Sequence, residues 1–272
     1  MTYATISVTP LTPRIGAVVS GINLAEPLTE AQLEDINRAI TEHLVIFFRD
    51  QDQLDPVSLK RVGHYFGDLQ RHALKGLSEE HPEVRKLHAD ENSKNVSGEV
   101  WHTDMSCVES PPMGSILYLH TIPPIGGDTI FASMYAAYDH LSDRMKNYLE
   151  GLTATHDGML AFGRFDPEGK YPKAVHPVIT QHPETSRKVI NVNRGFTSHI
   201  NELGMDESRF VLDYLYQHIE NQYFHVRFRW QAHSVAFWDN RCTQHLAIWD
   251  YFPQVRSGFR VQIENSTRQH HD

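Results

Sequence analysis

The sequence predicts a mainly β protein with helical insertions (α+β), built on a double-stranded β-helix, or jelly-roll, core that helices buttress. Three observations carry this. Short apolar stretches such as VIFF, GSILYLHTI, DTIFASM, SVAFWD and SGFRVQIE have strand composition and are separated by turn residues. Helical periodicities are few, and they fall early or between strands. The length, 272 residues with 40% apolar, suits one all-β unit with a sizeable core, so a single domain over 1–272 is expected.

The elements follow in order. Residues 5–20 mix Ile, Val, Thr and Pro and read as short strands around a turn at Pro10–Pro13. A helix opens after Thr29, the N-cap, with Gln32 completing a capping box. Leu33, Ile36, Ile40 and Leu44 keep helical spacing along it. VIFFRD (45–50) reads as a buried strand. Asp55–Pro56 starts a second helix, with Pro at the tolerated first position. Residues 70–98 are charged and irregular, a long loop with a strand near Val84–Leu87. Loops of this length in compact domains are often functional, so mobile active-site loops are expected near 70–98 and 160–175. VWHTDMSCV and GSILYLHTI read as strands, Gly126–Gly127 as a turn, and DTIFASM as a strand. Helices follow from Ser133 and over 142–150. A hairpin turns at Pro183–Ser186, and residues 206–221 form an amphipathic helix. The chain closes on the strands HVRFRW, SVAFWDN, QHLAIWD and SGFRVQIE.

Composition excludes several classes. A formal net charge of -9 argues against a nucleic-acid binder, which would carry a basic stripe. Two cysteines, Cys107 and Cys242, build neither a disulfide framework nor a CxxC pair, and reduced thiols fit a cytosolic protein. The start lacks a charged leader followed by an apolar run, and no stretch approaches a membrane span, so the expected location is the cytoplasm. Most of the 18 histidines must be bland.

The chemistry concentrates in EVWHTDMSC (99–107). Read as strand, it puts His102 and Asp104 on one face, able to reach one point in space. Imidazole plus carboxylate is a borderline ligand set suited to Fe(II), Mn(II) or Zn(II), and the non-heme iron pattern adds a second histidine. His245 in WDNRCTQHLAIWDY is the candidate, ahead of His156, His176 and His233. Arg256 and Arg260 are four apart on one strand and share a face, and an arginine forks onto an anion with two parallel hydrogen bonds. Thr129 follows the Gly126–Gly127 turn and can add a hydroxyl. The pattern alone leaves two readings open: HxD recurs by chance, and His102 with Asp104 also makes a satisfied core pair with the arginines turned outward.

The blocks PLTPRIGAVVSGINLAEPLTEAQ, VIFFRDQ, YFGDLQRH, WHTDMSCVESPPMGSIL, PPIGGDTIFASMYAAYDHLS and WDNRCTQH resemble the taurine dioxygenase-type Fe(II)/2-oxoglutarate-dependent oxygenases over nearly the whole chain. The resemblance implies that His102, Asp104 and His245 are the Fe(2+) ligands. It assigns Thr129 and Arg256 to the distal carboxylate of 2-oxoglutarate. It assigns Arg260 and His72 to the acidic head of the prime substrate, and Phe162 and Phe196 to aromatic pocket walls. The implied activity is hydroxylation of a small anionic, taurine-like sulfonate, using O2 and coupled to decarboxylation of 2-oxoglutarate to succinate and CO2. A homo-oligomer is a further expectation from the family. Lys75 and Gly98 stand where taurine-specific members carry a tyrosine and an asparagine, which points away from taurine itself. An aryloxyalkanoate, an alkyl sulfate or an amino-acid-like carboxylate is the alternative substrate. A zinc-dependent hydrolase and a non-catalytic metal-binding jelly roll are the rival classes.

Overall fold

The computed structural model describes residues 2–71 and 80–265. Seven strands form a large sheet in the order Ser7–Pro10, Ala17–Ser20, Val45–Phe48, Ser234–Asp239, Gly114–Thr121, Arg256–Ile263 and Arg85–Ala89. Three more, His225–Phe228, Thr129–Ser133 and Thr243–Ala247, form a smaller sheet. All pairs are antiparallel except Ala17–Ser20 with Val45–Phe48. The strand order is scrambled relative to the chain, as crossovers between two sheets require. This is the double-stranded β-helix that the sequence predicts.

The strand Val45–Phe48 shows why VIFF is apolar throughout. Alternate side chains leave opposite faces. Phe47 enters the core between the sheets, stacking on Phe228 of the small sheet with ring centroids 3.8 Å apart. Ile46 and Phe48 face the other way, into a second core. There the helix Glu30–His43 brings Ile36, Ala39 and Ile40, and the helix Pro56–His64 brings Leu59 and Val62. The two helices therefore cover the outer face of the large sheet. Thr29 and Gln32 form the capping box expected for the first, and Asp55 caps the second.

One irregularity bears on the site. Between Gly114–Thr121 and Arg256–Ile263 the register shifts: Ser257 lies opposite Thr121 but Gly258 opposite Leu119. The extra residue, His120, is on the first strand, a bulge of the kind that twists a sheet locally. On its other side Arg256–Ile263 pairs without interruption with Arg85–Ala89. The pleat of Arg256–Ile263 is thus unbroken, and Arg256 and Arg260 keep one face. Gly258 is required there, because a Cβ would lie 2.0 Å from the Tyr118 carbonyl oxygen.

The structure departs from the sequence reading at one predicted element and adds three that it lacks. EVWHTDMSC is not a strand: only His102 makes a β-bridge, and a turn follows. The strands Thr153–Asp157 and Thr197–Ile200 were absent from the sequence reading, because TATHD and TSHI lack an apolar alternation. So was the single-turn helix Gly158–Phe162, which ends at the polar loop 163–172. No helix among the described residues is long and apolar enough to cross a membrane.

Candidate active site

The site lies between the two sheets. His245 sits on Thr243–Ala247 of the small sheet and is buried. Its backbone exchanges two hydrogen bonds with that of His102, at 3.1 and 2.9 Å. This bridge sets the two imidazoles side by side, with ring centroids 4.1 Å apart. Asp104 arrives differently from the expected strand pairing. The chain turns after His102, Met105 takes a left-handed φ of 51°, and Asn240 clamps the backbone of Asp104. The Asp104 amide donates to Asn240 Oδ1 at 2.8 Å, and Asn240 Nδ2 donates back to the Asp104 carbonyl at 3.0 Å. A hairpin-like clamp, not a pleat, therefore brings the carboxylate to the histidines.

The two carboxylate oxygens face different partners. Oδ1 lies 3.6 Å from His102 Nε2 and 3.7 Å from His245 Nε2. Oδ2 accepts from the Ser115 hydroxyl at 2.9 Å and from the Arg260 guanidinium, which also donates to Ser115 Oγ at 3.1 Å. His102 Nδ1 lies 2.7 Å from the Val100 carbonyl, which fixes its proton there and leaves the Nε2 lone pair facing Asp104. Burial alone would raise the Asp104 pKa, but Arg260, His245 and His102 together hold it well below the usual carboxylate range. Burial, with His102 beside it, holds His245 well below an ordinary histidine, so its imidazole is neutral. One ligand atom from each residue lies within 4.8 Å of the others. A deprotonated Asp104 and a neutral His245 are states a divalent metal needs, and His102 Nε2 lies 3.6 Å from the same carboxylate oxygen. The donor set fits a metal.

A second cluster, His182, Asp239 and Cys242, does not fit one. His182 Nε2 faces Asp239 Oδ2 at 3.0 Å, while its Nδ1 accepts from the amides of Glu184 and Thr185. Arg241 occupies the rest of the Asp239 carboxylate. Burial pushes the Cys242 thiol well up. This cluster anchors the turn before His245. Both cysteines are free and buried.

Arg256 and Thr129, the residues expected to hold an anion, line the same cavity. Arg256 is buried, and its Nε donates to the Gly127 carbonyl at 3.1 Å. Gly126 and Gly127 both have positive φ, at 82° and 73°, which turns that carbonyl toward the arginine. Thr129 Oγ1 accepts from Trp230 Nε1 at 3.0 Å and lies 3.4 Å from Arg256 Nη2, so its proton is left to donate. Burial lowers the Arg256 pKa, and no carboxylate pairs with it among the described residues.

A cavity of about 200 Å³ joins these parts. Phe162 and Phe196 line it edge to face, 5.5 Å apart, and Phe196 faces the His102 ring. Phe131 stacks beside His245 in its floor. Gly98 has a φ of 92°, and a Cβ there would press to 3.3 Å from the His102 ring. His72 and Lys75 lie outside the described residues. The sequence reading takes Trp238–Arg241 as a supporting turn, which the clamp from Asn240 bears out; it misses Ser115 and the half-buried Arg85 in the cavity wall. Ser115 and Arg85 sit on strands that were read, but only the sheet register shows which site they face.

His156, which the sequence reading set aside as a ligand, is buried 3.0 Å from Ser106 Oγ and edge-on to His176. Burial, then His176, pulls its pKa down to about 3. The unfolded chain therefore takes up a proton near pH 6.5 that the folded chain refuses. Stability is full above pH 6.5 and falls with pH toward 3, by about 2 kcal/mol at pH 5. Urea midpoints from pH 8 to pH 5 are expected to drop accordingly, with a flatter profile for His156→Gln.

The taurine catabolism dioxygenase TauD, TfdA family model matches residues 7–262. An α-ketoglutarate-dependent sulfonate dioxygenase of Saccharomyces cerevisiae is 30% identical over 94% of this chain and 66% of its own length. An α-ketoglutarate-dependent sulfate ester dioxygenase of Pseudomonas putida is 30% identical over 95% of this chain and 89% of its own. The crystal structure of a taurine dioxygenase from Burkholderia xenovorans superposes with a TM-score of 0.85 at 32% identity, covering 97% of this chain and 90% of that one. AAD-2 in complex with Mn(II) and N-oxalylglycine gives 0.83 at 26% identity, over 97% and 98%. The chain belongs to the taurine catabolism dioxygenase TauD, TfdA family.

Proposed function

We propose that this enzyme hydroxylates a small organic anion of the sulfonate type, with Fe(2+) as its metal and 2-oxoglutarate as co-substrate. The observation that carries this reading is the convergence of His102, Asp104 and His245 beside a buried arginine, Arg256, that no carboxylate pairs with among the described residues. His102, Asp104 and His245 hold the iron. When bound, the iron supplies with 2-oxoglutarate and O2 the oxidation that no side chain can perform.

The protein's part is placement. Arg256 and the Thr129 hydroxyl hold the distal carboxylate of 2-oxoglutarate through charge-assisted hydrogen bonds. Asn240 and Ser115 fix the backbone and the outer oxygen of Asp104, so that Oδ1 is left for the metal. Arg260 grips the substrate's acidic head, with His72 as a second contact, and the rings of Phe162 and Phe196 guide its carbon chain. That holds one C–H bond in attack geometry. Phe131 and Trp238 keep water from the histidines.

Succinate release measured with a panel of alkyl sulfonates, alkyl sulfates, aryloxyalkanoates and amino acids tests this. The expected result is release that needs Fe(2+), 2-oxoglutarate and O2 together and is greatest with a sulfonate. Turnover of an ester without O2 and 2-oxoglutarate would instead establish a zinc-type hydrolase.

A further inference from the structure

Arg85 and Arg260 lie directly opposite each other on paired strands, Arg85–Ala89 and Arg256–Ile263. Both line the cavity. Residues facing each other across an antiparallel pair have Cβ atoms about 5 Å apart, and like charges there repel. Asp104 Oδ2 pairs with Arg260 and pulls on Arg85, but it is one carboxylate for two guanidiniums, and the metal would draw on the same charge. Among the described residues, Arg85 has one weak tie, a 3.3 Å contact from Nη2 to Ser97 Oγ, and Arg260, paired through Nη2, has its Nε buried without a partner. Burial and then Arg260 bring the Arg85 pKa down to about 10, against the pull of Asp104.

The charges in the cavity do not balance. Five arginines line it (Arg85, Arg164, Arg194, Arg256 and Arg260), against Asp104 alone among the described residues. Arg164 is paired with Glu99 and Arg194 with Glu220, both outside the lining. On the function proposed above, a divalent metal is neutralised by Asp104 and the keto-acid carboxylate. Arg256 is neutralised by the distal carboxylate. Arg85 and Arg260 are left with two positive charges, and burying unpaired charge is costly. A monoanionic sulfonate would cancel only one.

We propose that the substrate's anionic end is a dianion, shared by Arg85 and Arg260, and that Arg85 is the residue that selects it. The proposal rests on the oxygenase reading. The chemistry is either one doubly charged head, such as a phosphonate, or a sulfonate with a carboxylate on the same carbon.

Three four-carbon ligands separate the cases: butane-1-sulfonate, butylphosphonate and 2-sulfobutanoate. Their binding to the protein loaded with Fe(2+) and 2-oxoglutarate is measured by calorimetry without O2, above the second ionisation of the phosphonate. At least one dianion is expected to bind roughly 10- to 100-fold more tightly than the sulfonate, the increment of a second charge-assisted contact. Whichever dianion gains identifies the arrangement. Arg85→Gln is expected to erase the difference, and Arg85→Lys to restore part of it. Equal affinity for all three in the unaltered protein, with sulfonate-dependent succinate release intact, would overturn the role of Arg85 and leave the oxygenase reading standing. Absence of both binding and succinate release would overturn the oxygenase reading itself.

Discussion

Asp104→Asn is expected to abolish metal binding and turnover while leaving a folded but weakened protein. The side chain keeps its shape, and the clamp from Asn240 acts on the backbone at this position, so the turn should persist. What disappears is the negative charge between the two histidines and Arg260. Loss of an outer hydrogen-bond partner of a metal ligand costs about 10- to 100-fold in affinity, and loss of the ligand's own charge should exceed that. Equilibrium dialysis with Mn(II) or Fe(2+) reads this directly. The metal-free protein is also expected to lose about 3 kcal/mol, the scale for breaking a buried ion pair from one side. Here the orphaned Arg260 also faces Arg85 across the sheet. Urea denaturation of the metal-free variant checks the second effect, and unaltered stability would show that Arg260 finds another counter-charge.

Arg256→Leu is expected to act in the opposite sense on the two quantities. Charge-assisted hydrogen bonds contribute about 1.5–3 kcal/mol, so 2-oxoglutarate should bind roughly 10- to 150-fold more weakly. The metal-free protein, in contrast, should hold its stability or gain. Arg256 is a buried cation whose partners are a carbonyl and a hydroxyl, and its removal relieves a desolvation cost. Calorimetric titration of 2-oxoglutarate beside a thermal melt distinguishes this from a merely structural role, in which both quantities would fall.

Local signals in the sequence proved to be readable where a side chain acts on its own neighbourhood. Thr29 with Gln32, and Asp55 before Pro56, placed two helix starts because a cap is complete within four residues. The apolar run of Val45–Phe48 placed a strand buried on both faces. His102 and Asp104 do come together, but not by the geometry expected of them. Their spacing suits a pleat, but the turn depends on Asn240, 136 residues away. Arg85 lies in the charged stretch RKLH, where the sequence shows a strand but not which way it faces. Only its register against Arg260 turns it into part of the cavity wall.

The candidate metal ligand His245 and the hydroxyl of Thr129 ride on the small sheet, while Arg256 and Arg260 ride on the large one. The reacting partners are thus carried by two separate plates. Among the contacts that lock those plates are two ring pairs, Phe47 on Phe228 and Phe131 against Trp238. Trimming one of these rings would shift the spacing between ion and co-substrate anchor. Damage to this packing would surface first as wasted co-substrate, with succinate formed and no product to match.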